Sequence, residues 1–373
     1  MTSLPSGELE GWTPIHVETR RGSPVVDWGH LGQTDFTDPF FEQTLARALR
    51  NPACLLFRQK TSIEALEKIA ETWSDLRPSG LIFHTSRCGS TLLAQMLAAL
   101  PHSLVLSEAP PIDQVLSASL HHPGATREKR LTWLRGLVGA FIQARPGVGQ
   151  RCFIKFDSWH ILELPIIRAA FPDVPWVFLY RDPVEVMVSQ LKLRGTQMFP
   201  GMIDPRIFGL DWASAMQLPL DLYGARVLAR IYAAGLDYAA ELGGRLINFT
   251  QLPNALWETP GRFFDLDLSE TEIQQLRQAA KANAKNPVLP YQDDVAAKQR
   301  EASDELRHWV DEFLSAPYAG LETLRATQEK PLDRGGVGHA SRDSAKVQTN
   351  AALRSSASSL SRNQSFTTQS ITR

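Results

Sequence analysis

Cysteine is scarce in this chain of 373 residues: Cys54, Cys88 and Cys152 are too few and too scattered for a disulfide framework or a zinc site. That scarcity fits a reducing compartment. A surplus of either charge is missing as well. With a formal net charge of −1 there is no global basic field, so composition gives nucleic-acid binding no support and any anion site has to be local. Long apolar runs are also absent. No window of about twenty residues is apolar enough to span a bilayer, and the opening stretch MTSLPSGELEGWTP has no apolar core of signal-peptide type. The expectation is a cytoplasmic protein that does not associate with membranes.

The most informative stretch is GLIFHTSRCGSTLLAQMLAAL, residues 80 to 100. Leu81-Ile82-Phe83 suits a buried parallel strand, and Leu92, Leu93, Met96, Leu97 and Leu100 recur at helical spacing. Between them lies the polar loop Thr85-Ser86-Arg87-Cys88-Gly89, followed by Ser90 and Thr91. A strand–loop–helix turn of this kind aims backbone N–H groups and a helix dipole at one point, which suits a phosphate or sulfate. A Walker A loop would need G-x-x-x-x-G-K-[ST]. Here Ser90 follows Gly89 where the lysine should stand, and His84 replaces the first glycine.

The run SRCGSTLL resembles the 5′-phosphosulfate loop of the sulfotransferases that use 3′-phosphoadenosine-5′-phosphosulfate (PAPS), whose pattern is P-[KR]-S-G-T-[TS]-[LW]. The resemblance implies that Ser86, Arg87, Cys88, Gly89, Ser90 and Thr91 bind the cofactor. A second match lies downstream. Trp176 to Tyr180 reads as a strand, Asp182 as a helix N-cap and Pro183 as the first helical residue. The family binds the PAPS 3′-phosphate with an arginine and a serine eight positions apart in such a unit, which implies Arg181 and Ser189. The bland alternative is a common strand-to-helix turn with a surface arginine.

Two further positions bear on catalysis. Glu108 follows the short strand Ser103–Ser107, where a carboxylate either caps the next helix or meets a ligand. Its distance from Arg87 resembles that of the general base in the tyrosylprotein and carbohydrate branches. Lys155 lies within the apolar strand Cys152–Phe156, and a buried cation there needs an anion or an ion-pair partner. Family members carry a lysine near this point that contacts cofactor or leaving group. The triplet Lys155-Phe156-Asp157 departs from the K-T-H of the cytosolic branch, whose histidine is the base. The base is therefore Glu108 or Asp157, with Glu108 preferred on spacing. His160 is read as satisfying a helix start.

The expected fold is a three-layer αβα domain of P-loop type around a mostly parallel, roughly five-stranded sheet. Residues 1 to 76 are expected to form a helical or irregular cap, 77 to 328 the sulfotransferase-like domain, and 329 to 373 a disordered Ser/Thr-rich tail. Residues 194 to 217, broken by Gly and Pro among large apolar residues, read as an acceptor lid or as packing onto the core. Lys298 and Arg300 stand where the family places further basic residues for the 3′-phosphate, although its R-K-G-x-x-G is missing there. The implied reaction moves a sulfuryl group from PAPS to an acceptor hydroxyl or amine, with no metal. The acceptor would be a small molecule, saccharide or peptide. Two alternatives stay open: an ATP-dependent small-molecule kinase with a degenerate loop, and a non-catalytic protein that binds PAPS or its bisphosphate product.

Overall fold

Five short apolar runs form the centre of the protein. The computed structural model describes residues 9–329 apart from 21, 33, 146–150, 259–263, 284–285 and 291–293. In chain order the strands of its two larger sheets are β1 (Thr13–Arg20), β2 (Ser23–Gly29), β3 (Arg58–Ser62), β4 (Gly80–His84), β5 (Ser103–Ser107), β6 (Arg151–Lys155), β7 (Trp176–Tyr180) and β8 (Arg245–Asn248). The last five pair in parallel in the order β5-β6-β4-β7-β8. Helices cover both faces, so these strands are apolar on both sides.

The two-residue period of the strands divides the core in two. Leu81, Phe83, Leu106, Ile154, Phe178 and Tyr180 face one way, toward the helices Glu64–Thr72, Arg127–Gln143 and Leu220–Leu242. Ile82, Val105, Phe153, Val177, Leu179 and Ile247 face the other way, toward Ser90–Ala98 and Glu270–Ala279. Asn248, the first residue of an Asn-Phe-Thr glycosylation sequon, is buried and caps a turn by accepting from the Thr250 N–H, so its side chain is not presented for modification.

The N-terminal segment needs correction. Besides its helices Phe41–Ala48 and Glu64–Thr72 it contains the antiparallel sheet β1-β2-β3, where a helical or irregular cap is expected from sequence. Ile15 and Val17 point inward while His16 is exposed, and Gly22 turns the hairpin at φ +81°. This alternation is short and begins with buried Thr13 and Pro14, which blurs the period in the sequence. The small sheet joins the main core, with the Val17 N–H donating to Gln114 at 2.6 Å and the Gly11 N–H to Gln143 at 3.0 Å. Among the described residues, no helix is long and apolar enough to cross a membrane. The tail expected to be disordered lies, from residue 330 on, outside the described residues.

Candidate anion site at the carboxy edge of the sheet

Strand register brings the candidate residues to one edge. Ser107 and Ile82 both align with Lys155, His84 with Leu179, and Tyr180 with Asn248, so the five strands end nearly level. From β4 the chain departs toward β5, and from β7 toward β8 on the opposite side. Between these two strands the winding reverses, which is where open α/β sheets bind ligands. Arg87 and its loop follow β4, and Arg181 follows β7.

The loop is held in an unusual backbone conformation. Ser86, Arg87 and Gly89 take φ values of +65°, +52° and +84°. Left-handed non-glycine residues are strained by about 1 kcal/mol or more each and persist only where their surroundings over-determine them. Several contacts do so here. The Ser86 N–H donates to His84 Nδ1 at 2.9 Å, the Gln190 amide donates to Ser86 Oγ at 3.2 Å, and Arg87 donates to the Leu193 carbonyl. A Cβ on Gly89 would lie 2.8 Å from Leu252 and 3.0 Å from Phe249, so the position excludes alanine on space as well as on φ. Gly89 is the N-cap of Ser90–Ala98 and no side chain caps that turn, an arrangement that suits an anion. Cys88 turns inward, its thiol 3.3 Å from the Leu179 carbonyl and raised in pKa by burial. It can offer the site only its backbone.

One strand away, Lys155 is fully buried and forms an ion pair with Glu108, itself left-handed at φ +51°. His84 Nε2 lies 3.4 Å from the same carboxylate oxygen. Burial lowers the His84 pKa against the pull of Glu108, so its imidazole is neutral. Glu108 feels burial too, but Lys155 and His84 outweigh it and hold the carboxyl well below the usual range. Phe40, from the N-terminal segment, lies over the Lys155 ammonium with its ring centre 5.1 Å away.

Asp157 behaves oppositely. Burial, reinforced by Glu108 and Asp113 and opposed by His160, raises its pKa to about 7. It caps the turn Ser158–Glu163, with its N–H donating to His160 Nδ1 at 3.3 Å, so His160 does serve a helix start. His160 Nε2 lies 2.8 Å from Asp113, which also accepts from Trp159 Nε1 at 2.9 Å. Burial disfavours the charged imidazole, but Asp113 and Asp157 more than offset this and raise its pKa. Atoms of Asp113, Asp157 and His160 approach within 4.8 Å of one another, close enough for a cation. Their polar atoms already bond to each other and to the backbone.

The Asp157 shift has a stability consequence. Between its ordinary pKa near 4 and about 7, folded protein holds a proton that the unfolded chain has released, so stability falls as pH rises through that window. Asp157→Asn should change the melting temperature little at pH 4, already raise it at pH 5, and stabilise the protein at pH 8 by roughly 4 kcal/mol, three pH units of linkage. Equal effects at pH 4 and pH 8 would contradict the raised pKa.

Arg181 is buried at the end of β7. Its Nε donates to Glu185 at 2.5 Å, a terminal nitrogen donates to Asp294 at 2.8 Å, and the guanidinium carbon lies 3.9 Å from the Phe249 ring centre. Burial opposes its charge, but these carboxylates outweigh that and raise its pKa. Ser189 is half-buried two turns along the same helix, Pro183–Lys192, whose N-cap Asp182 accepts from the Glu185 N–H at 3.2 Å. The helix start, its proline and the ranges of β5 and β7 match the sequence-based expectation. In the expected lid, Gln197, Met198 and Phe208 are buried while Met202, Trp212 and Met216 are exposed, so that segment both packs on the core and shows an apolar surface.

Several neighbours were not legible beforehand. His84, Gln190, Asp113 and Phe40 all touch the candidate groups, yet the only sequence signal is a neutral polar residue inside an apolar run at His84 and Gln190. Two surface clefts, one lined by Trp73, Arg77, Arg135 and Asp173 and one by Arg168, Trp176, Arg245 and Asp265, include none of these groups. The site is thus defined by convergent charge and backbone geometry. The chain matches no protein-family model and no curated protein sequence.

Proposed function

We propose that the protein is a PAPS-dependent sulfotransferase. The observation that carries this reading is the pairing, across the reversal between β4 and β7, of an uncapped helix N-terminus preceded by left-handed loop residues with the buried guanidinium of Arg181. Two anion seats on neighbouring strand ends fit a nucleotide with phosphates at both its 5′ and 3′ positions. The strand order, with the loop-bearing strand central, supports the P-loop class. The lack of a lysine after Gly89 counts against ATP.

In this reading the N–H groups of Gly89, Ser90 and Thr91, with Arg87, hold the 5′-phosphosulfate, while Arg181 and Ser189 hold the 3′-phosphate. Lys155 neutralises charge growing on the bridging phosphate oxygen as the sulfur–oxygen bond breaks. In-line attack by the acceptor oxygen or nitrogen forms the new bond to sulfur, and a carboxylate at this edge takes the displaced proton. The electrostatics favour Asp157, whose pKa near 7 suits a base at neutral pH, over Glu108, whose charge is engaged by Lys155. This revises the preference drawn from spacing. Phe199, Met202, Trp212 and Met216 offer an exposed apolar surface for the acceptor.

Calorimetric titration with adenosine 3′,5′-bisphosphate beside AMP and ATP tests the reading. The bisphosphate should bind at least about tenfold more tightly than AMP, the equivalent of one good charge-assisted contact. Equal affinity for bisphosphate and AMP removes the 3′-phosphate seat, and a preference for ATP would favour the kinase alternative.

A further inference from the structure

The environment of Arg181 is more specific than a phosphate seat requires. Arg181 and Lys298 are both nearly buried, with side chains 6% exposed, and both pair with the carboxylate of Asp294, at 2.8 Å and 2.7 Å. That carboxylate is 48% exposed. Two cations are thus withdrawn from water beneath an anion that reaches it. Their arrangement is otherwise fixed: Glu185 holds the Arg181 Nε and Phe249 covers one face of the guanidinium. The Gln299 amide donates to Asp182 at 3.1 Å and approaches Glu185 at 3.4 Å, tying the helix Val295–Glu301 to the same corner.

Asp294 also gives up its ordinary local role. It stands at the N-cap of Val295–Glu301, where an aspartate normally accepts from the first turn, yet it makes no side-chain cap hydrogen bond. Its two oxygens go to Arg181 and Lys298 instead, one to each. Buried cations need a counter-anion, because leaving them unpaired is costly. Nothing in this geometry requires that anion to be a carboxylate.

We propose that Asp294 is an internal occupant of the 3′-phosphate seat, a tethered carboxylate that a phosphomonoester must displace from Arg181 and Lys298. The inference rests on the sulfotransferase reading and deepens it. Before displacement Arg181 and Lys298 carry two positive charges against Glu185 and Asp294. Afterwards a phosphate dianion takes the place of the single carboxylate charge, and Asp294 is free to cap its own helix. Affinity for the 3′-phosphate is then set by competition with Asp294, and a ligand lacking that phosphate does not feel it.

The sign of the expected effect is distinctive. Asp294→Asn removes a charged contact, yet it should tighten adenosine 3′,5′-bisphosphate about tenfold by calorimetry while leaving AMP unchanged. Lys298→Ala, which leaves Arg181 its carboxylate, should weaken the bisphosphate about tenfold and again spare AMP. Both variants are made in the full chain, and the second keeps the idea testable if the first does not fold. Unchanged or weaker bisphosphate binding in a folded Asp294→Asn variant overturns the proposal, as does unaltered binding in Lys298→Ala. Arg181→Ala separates the two levels. If it leaves bisphosphate affinity intact, the sulfotransferase reading itself fails; if it weakens binding while Asp294→Asn does not tighten it, only the role of Asp294 is lost.

Discussion

Under the proposed sulfotransferase function, Lys155→Met should remove at least about a hundredfold of the transfer rate and destabilise the protein by about 3 kcal/mol, and the two losses should come apart in a double variant. The stability loss arises because Lys155 is fully buried and its partner Glu108, one-quarter exposed, would be left as an uncompensated charge. Glu108→Gln in the same chain removes that charge. The double variant Lys155→Met/Glu108→Gln should therefore recover most of the lost stability, since a buried ion pair contributes little over a neutral pair of similar volume. Turnover should not recover. A neutral pair cannot stabilise charge on the leaving phosphate, whatever it does for the fold. Urea midpoints of the four proteins, beside release of bisphosphate from PAPS with an acceptor found by screening, measure both effects. A Lys155→Met protein as stable as the parent would show that the pair is not held as described. An active double variant would remove Lys155 from the chemistry.

The parts of the protein that were legible in its sequence share a physical cause. Parallel strands covered on both faces must be largely apolar, so β4 to β7 read directly as short hydrophobic runs, and a charged residue at the end of such a run, as at Lys155 or Arg181, stands out. The β1-β2-β3 sheet was not legible, because its pairing is antiparallel, its alternation is short and its third strand, Arg58–Ser62, carries polar residues throughout. Individual site residues were readable, but their partners were not. Asp294 meets Arg181 across 113 positions and Phe40 reaches Lys155 from another part of the core, pairings that no local spacing encodes. The electrostatic contrast between Glu108 and Asp157 belongs to the same class. Both are carboxylates just past strand ends and both are raised by burial; the Lys155 ammonium and His84 beside Glu108 reverse that shift, while the neighbouring carboxylates of Glu108 and Asp113 reinforce it at Asp157.

The same contrast bears on the proposed general base. Asp157→Asn should lower turnover by about 10² to 10⁴ and abolish the pH dependence around neutrality. With a pKa of about 7, the Asp157 carboxyl gains its charge as pH rises, so the parent rate should climb through pH 7 and level off above pH 8. The asparagine amide of the variant cannot accept a proton at any pH, yet it can still cap the Ser158–Glu163 turn, so folding and bisphosphate affinity should survive. Glu108→Gln provides the opposing case. Its carboxylate is ionised across this whole range, so it contributes no inflection near pH 7 while Lys155 stays paired with it. A bound donor that draws the Lys155 ammonium onto its own phosphate would release Glu108 and raise its basicity. In that event Glu108→Gln is the dead variant, Asp157→Asn keeps a measurable rate, and the rate profile is flat through neutrality. The two carboxylates therefore differ in a measurable way: by which amide variant keeps its rate, and by whether a titration near pH 7 disappears with it.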